Sequence, residues 1–187
     1  MALLRIPEKR FSVDSFVRLQ FGKLFSGQDL RFLKLDAGVR SEWFPRATGD
    51  DYSVSTQFRT GSSLGQPPFD ELFILGLERD NDLWMRGHIA TEDRKRGSGF
   101  LGRKYFLFNA EMDKKLFHLV FMDVRLGPCL DVGRIYDQNL DFGSVRWLWD
   151  LGLLLKLRLP GGLTAILSYG KDLRTGRNQV YLSARQP

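Results

Sequence analysis

A period of two runs through most of this 187-residue chain and limits what it can fold into. In "FVRLQFGK", Val17, Leu19 and Phe21 share one side, and Arg18, Gln20 and Gly22 share the other. "LKLDAGVR" sets Leu33, Leu35, Ala37 and Val39 against Lys34, Asp36, Gly38 and Arg40, and "YSVSTQFRT" repeats the pattern from Tyr52 to Arg59. The longest case is "VRWLWDLGLLLKLRL", where Val145, Trp147, Trp149, Leu151, Leu153, Leu155 and Leu157 oppose Arg146, Asp150, Gly152, Lys156 and Arg158. Successive side chains of a β-strand point to opposite faces, so these segments read as strands with one apolar and one polar side. No stretch makes an amphipathic helix. The pattern predicts eight strands, near 14–25, 30–43, 52–64, 100–113, 117–133, 144–159, 162–170 and 178–186. Turn chemistry places tight connections at "SGQD", "DKKL" and "LPGG". One long connection, 65–99, remains. There is no internal repeat or low-complexity tract. The expected fold is an all-β, antiparallel up-and-down meander of about eight strands, forming one domain over 1–187.

Composition removes several function classes. Leu, Phe, Trp and Val are too plentiful for a disordered tail. The single cysteine, Cys129, excludes an internal disulfide and a cysteine-based metal cluster. With only His88 and His118, a His-rich metal site is not expected either. The charge balance, 28 Lys+Arg against 22 Asp+Glu, is compatible with nucleic acid or anionic lipid and demonstrates neither. No apolar run reaches the roughly 18 residues of a transmembrane helix. "MALLRIPEKRF" is too short in its apolar part for a secretory signal, so an exported protein would be the back part of a longer precursor or have lost its leader.

Alternation does not say which face is inside. A soluble barrel or sandwich buries the apolar face; a transmembrane barrel turns it to lipid and lines its interior with polar groups. Three features point to the membrane. Several strands exceed the usual five or six residues and suit the ~9–11 that a tilted membrane strand needs. Full charges recur on the polar face, from Arg18, Lys34, Asp36, Arg40 and Arg59 to Glu111, Asp131, Asp150, Lys156 and Arg158. Aromatics gather at strand ends, as at Trp43-Phe44 and Trp147/Trp149, as an interfacial girdle would. The other reading is a soluble β-barrel or β-sandwich that binds a ligand or partner, its polar face solvated.

A set of ordered motifs adds to this. "QPPFDELFILGLERDNDLWMRGH" leads into Met85-Arg86-Gly87-His88; "FLFNAEMDKKL" carries Asn109 and Glu111; "CLDVGRIYD" carries Asp131, Gly133 and Asp137. "LWDLGLLLKLRLPGGLTAILSYGKDL" and "NQVYLSARQP" follow. In order and spacing these resemble the BamA/TamA-like outer-membrane β-barrel superfamily, the bacterial surface antigens, over roughly residues 50–186. The resemblance implies a sixteen-strand barrel with this chain as its second half; a small closed barrel is the alternative. It implies that the 65–99 loop folds back into the lumen, where Arg86 pairs with Asp131 and Glu111. A planar guanidinium can take two carboxylates, and Gly87 allows close backbone approach. It further implies a non-enzymatic protein of the bacterial outer membrane, acting in insertion, assembly or translocation of other polypeptides. No catalytic residue, metal or cofactor is expected. The partners would be the lipid bilayer, lipopolysaccharide, client outer-membrane or secreted polypeptides, and the rest of its own barrel or a second copy. A weakly closed seam between first and last strands would offer edge hydrogen bonds to an incoming strand.

The chain departs from the family pattern in two places. His88 replaces the usual Phe or Tyr, and the chain ends Arg185-Gln186-Pro187 where the family commonly has a terminal aromatic.

Other constellations read as structure. "EDRKRGSG" (92–99) is basic and glycine-rich, which suits an exposed loop facing lipopolysaccharide phosphates; without interleaved aromatics it makes no stacking platform for nucleic acid. "GKDLRTGRN" (170–178) lacks phosphate-loop spacing and reads as a hairpin loop. Glu111 and Asp131 with an arginine between them stay ionised, which suits bracing better than proton transfer. Cys129 reads as a small buried residue, and His118 shows no partner. An excess of cations on the lumenal face would favour anions in any pore.

Overall fold

The computed structural model describes residues 2–6, 10–26, 28–45, 51–78, 81–92, 95–96, 99–119, 122–137, 143–144 and 146–185. Its main sheet contains β1 (Ala2–Ile6), β2 (Phe11–Ser26), β3 (Gln28–Trp43) and β4 (Tyr52–Gly65). After a long connection it continues with β9 (Lys104–Leu119), β10 (Met122–Tyr136), β11 (Leu148–Arg158), β12 (Thr164–Asp172) and β13 (Asn178–Arg185). The connection holds four short strands, β5 (Phe73–Leu75), β6 (Thr91–Glu92), β7 (Lys95–Arg96) and β8 (Phe100–Gly102). The nine main strands lie in chain order and every ladder between them is antiparallel, so the chain is an all-β meander. Among the described residues there is no α-helix, and no ladder joins β1 to β13. The sheet is open, and the expected alternative of a small closed barrel is not seen.

Two expectations are corrected here. The sheet has nine main strands, not eight: β1 pairs with β2 from Ala2↔Ser15 to Ile6↔Phe11. Its sequence places Leu3 beside Leu4, both exposed, and so shows no alternation to betray it. "DKKL" is not a turn but the later part of β9. Asp113 points to the inner face and accepts a hydrogen bond from Lys156 Nζ at 2.6 Å. Three turn-like polar residues there, Asp113, Lys114 and Lys115, lie within a strand, and β9 meets β10 only beyond Leu116, through Leu119↔Met122. A register shift at Val124/Arg125 absorbs the irregularity. "LPGG" does make its turn, with Gly161 and Gly162 at φ of 81° and 83°.

The two faces of the sheet have opposite chemistry. The apolar positions Val17, Leu19, Phe21, Leu151, Leu153, Val180 and Leu182 are exposed, Phe21 at 72% and Leu182 at 69%. Phe58, Phe106 and Trp147 lie edge to face along this outer side. The polar positions Asp36, Arg59, Asp131, Asp150 and Asp172 are buried. What buries them is the long connection. Its Phe73, Leu75, Leu83 and Met85 pack against Tyr105 and Leu107 of β9, Ile135 of β10 and Leu148 of β11, and this is the apolar core. The core therefore sits between the connection and the inner face, with the larger apolar surface left on the outside.

Candidate functional site: a loop anchored to the inner face

The connection is shaped before it meets the wall. The Asn81 side chain donates to the carbonyls of Ile74 and Gly76, both at 2.9 Å, and its Oδ1 accepts from Leu83 N. Trp84 Nε1 donates back to the Asn81 carbonyl. This ring of bonds holds a rigid arm whose tip is the turn Met85–His88, closed by His88 N donating to Met85 O at 3.1 Å. Met85 is fully buried beside Gly133, where a Cβ would lie 2.7 Å from its sulfur. Gly133 thus leaves the space that Met85 fills.

Arg86 stands at the corner of the turn, 5% exposed, between β9 and β10. Its Nη1 donates to Asp131 and its Nη2 to Glu111, while its backbone N–H reaches Asp131 Oδ2 at 2.9 Å. Asn109 Nδ2 donates both to Asp131 Oδ1 at 2.7 Å and to the Trp84 carbonyl at 2.9 Å. Lys156 Nζ of β11 then bridges Glu111 and Asp113, each at 2.6 Å. The result is a chain of alternating sign, Asp131–Arg86–Glu111–Lys156–Asp113, drawn from the arm and three strands. Burial disfavours the guanidinium's charge, but the Asp131 and Glu111 carboxylates more than offset it, so its pKa is raised and it stays charged. A buried ion of this kind is tolerated because every member of the chain has an opposite partner.

Close approach is what the glycines supply. A Cβ on Gly87 would come within 2.5 Å of Asp172 N and 2.7 Å of the Asp150 carboxylate, and one on Gly170 would fall on the Arg86 carbonyl. Gly87 N donates to Asp150 Oδ2 at 2.6 Å. His88 follows, its ring lying between Asp150 and Asp172. Asp137 is the member of the sequence motif that lies apart from this site: its carboxylate sits 3.7 Å from Arg103 Nε, at the end of the connection.

Several functional contacts have no signature in the sequence. Arg59 of β4 is buried against Asp36 Oδ2 at 2.7 Å, and Tyr105 donates its hydroxyl to Asp36 Oδ1. Asp82 of the arm reaches the same guanidinium at 3.3 Å, so the arm has a second ionic contact with the wall. Trp84 packs edge-on against Tyr181 of β13 at 5.9 Å, connecting the arm to the last strand. Alternation places Asp36 and Arg59 inward but cannot pair them. His118 does have a partner, Asp123, directly across the β9–β10 hairpin; an expected turn at "DKKL" hid it, because the true turn lies between these two residues. Cys129 is buried, with Gly152 making room for its sulfur. Residues 93, 94, 97 and 98 of the basic stretch 92–99 lie outside the described residues, and with them the expectation of a phosphate-facing loop.

Beside Arg86 the arm leaves a polar cleft of about 610 Å³. Arg40, Arg125, Lys156 and Arg158 line it opposite Glu42, Asp82, Glu111 and Asp113, so its charge is nearly balanced. Such a cleft can hold water and small ions. Comparison with protein-family models, curated proteins and solved structures returns no match to this chain.

Proposed function

We propose that this chain is the wall of an outer-membrane β-barrel of the BamA/TamA-like, surface-antigen kind. In this reading it acts without breaking bonds, in the insertion, assembly or translocation of other polypeptides. One observation carries the reading: the sheet exposes its apolar face and buries its charged one, the reverse of a soluble sandwich. Exposed apolar side chains recur along the outer face from β2 to β13, among them Val17, Leu19, Phe21, Leu33, Leu35, Leu151, Leu153, Val180 and Leu182, and contiguous exposed apolar surface marks a contact with something other than water. Lipid is the solvent that suits it, with ionised groups turned inward. Arg134 adds support at one rim, stacked over Tyr136 at 4.3 Å and near Trp147 at 6.0 Å, as cations and aromatics sit at an interface.

The arm is then a brace across the lumen, held by Arg86, and the edge strand β13 is this chain's side of the seam between the barrel's first and last strands. Edge strands present unpaired N–H and C=O groups that can template another strand. Since Trp84 touches Tyr181, the brace and the seam are in mechanical contact. An open edge cannot persist in hydrocarbon, so in the membrane the rest of the barrel or a second copy must complete the wall.

Vesicles of phospholipid and lipopolysaccharide test both parts. The full chain is expected to enter them in a form that resists alkaline extraction, and to speed insertion of a urea-unfolded client barrel. A chain that is folded and monomeric in buffer without detergent would overturn the membrane reading in favour of a soluble binding module. Entry without any effect on the client would overturn the assembly role.

A further inference from the structure

His88 is where the chain departs from the family's aromatic, and its ring makes a contact that no aromatic hydrocarbon could. Nδ1 lies 3.1 Å from Asp150 Oδ2, and Nε2 lies 3.5 Å from Asp172 Oδ2. The two carboxylates are direct cross-strand partners on β11 and β12, both buried. Like charges facing each other across a ladder are destabilising, and buried carboxylates without compensation are costly. Asp131 of β10 adds a third carboxylate within electrostatic reach of Asp150. Arg86, the neighbouring cation, is engaged with Asp131 and Glu111. Phe100 of β8 covers the ring with its centroid 5.6 Å away and brings no charge.

The remaining polar contacts do not resolve the imbalance. Asp172 accepts from Arg174 N at 2.8 Å and from the Thr175 hydroxyl, both neutral donors of its own turn. Asp150 Oδ2 accepts from Gly87 N, while Asp150 Oδ1 is buried with no hydrogen-bond partner among the described residues. We propose that His88 is a proton-dependent second anchor of the arm: as an imidazolium it donates one N–H to Asp150 and turns the other toward Asp172 at ion-pair distance, pinning the turn to the β11–β12 hairpin.

The donor inventory decides for the charged ring. A neutral imidazole has one N–H and one lone pair, so it would turn the lone pair on one of the two carboxylates. A metal ion fits less well. The ligand atoms of His88, Asp150 and Asp172 lie within 4.8 Å of one another. The carboxylates, however, sit on opposite ring nitrogens, whereas an ion held with both of them would need them on the same one. Only the ring with two N–H groups can offer a donor toward each carboxylate, so the arm is held more tightly when His88 is charged. This anchor lies within the folded chain whatever solvent meets the outer face, so it stands or falls apart from the membrane reading.

The test uses the full chain, folded in detergent or buffer as it requires, with 15N-labelled histidine and H118Q as the assignment variant. Thermal melts are run from about pH 5.5 to about pH 8.5, the range in which histidine changes charge. Two protonated nitrogens for His88 at the acid end are expected, with a melting temperature that falls toward the alkaline end. That fall should shrink in H88F, H88Q and D150N. A neutral-tautomer spectrum throughout, or the same fall in all three variants, would overturn the proposal. So would a melting temperature that responds to Zn2+ or chelator in the wild type but not in H88Q, since that is a metal site.

Discussion

Replacing Arg86 by alanine would leave Asp131 and Glu111, diagonal neighbours across β9 and β10, without the guanidinium that lies between them. Breaking a buried pair by removing one partner typically costs about 3–5 kcal/mol, because the other charge is left without compensation. R86A is therefore expected to undock the arm, seen as a lower urea midpoint and faster proteolysis at the loop. R86K should fall between, since an ammonium keeps the charge and loses the fork that spans two strands. A urea midpoint for R86A equal to that of the wild type would show that the guanidinium braces nothing. At this scale the sequence was partly readable. Arg86, Asp131 and Glu111 stood out through ordered motifs, and Gly87 through the need for close approach. The partners of Arg59, Tyr105, Asp82 and His88 did not, because pairing inside a sheet is set by register over tens of residues.

Strands β2, β3, β4 and β11 were legible because a sheet with one wet and one dry side writes its two faces alternately into the chain. β1 escaped because adjacent leucines erase that rhythm. The β9–β10 hairpin was misplaced because a strand carrying ionised groups on its inner face looks, locally, like a polar turn. The β11–β12 connection was read well since its glycines answer a backbone demand that is local. Gly161, at φ 81° with no atom within 4 Å of a would-be Cβ, isolates that demand. G161A there should cost about 1–2 kcal/mol from the left-handed backbone alone, measured as a shift in urea midpoint. An unchanged midpoint would mean that the turn relaxes freely and does not set the hairpin's register.

At the scale of the whole molecule, inside and outside are exchanged relative to a water-soluble sheet, and a single substitution can ask which solvent the outer face meets. Leu153, 52% exposed in the middle of β11, is a suitable place. If it faces lipid, L153R should destabilise the inserted form by about 2–4 kcal/mol, the price of a cation near the bilayer midplane. If it faces water, the same change should fall within about 0.5 kcal/mol of the wild type, as surface substitutions do. Folding titrations in vesicles and in buffer give the two values. The open edges β1 and β13 bear on the same question from another side. If the outer face meets lipid, each is a row of backbone dipoles that hydrocarbon will not solvate, and zipping the wall shut and leaving water must then happen in one concerted step. Partly inserted forms should then be too sparse to accumulate, and dilution in lipid should act on folding itself wherever closure draws on another molecule.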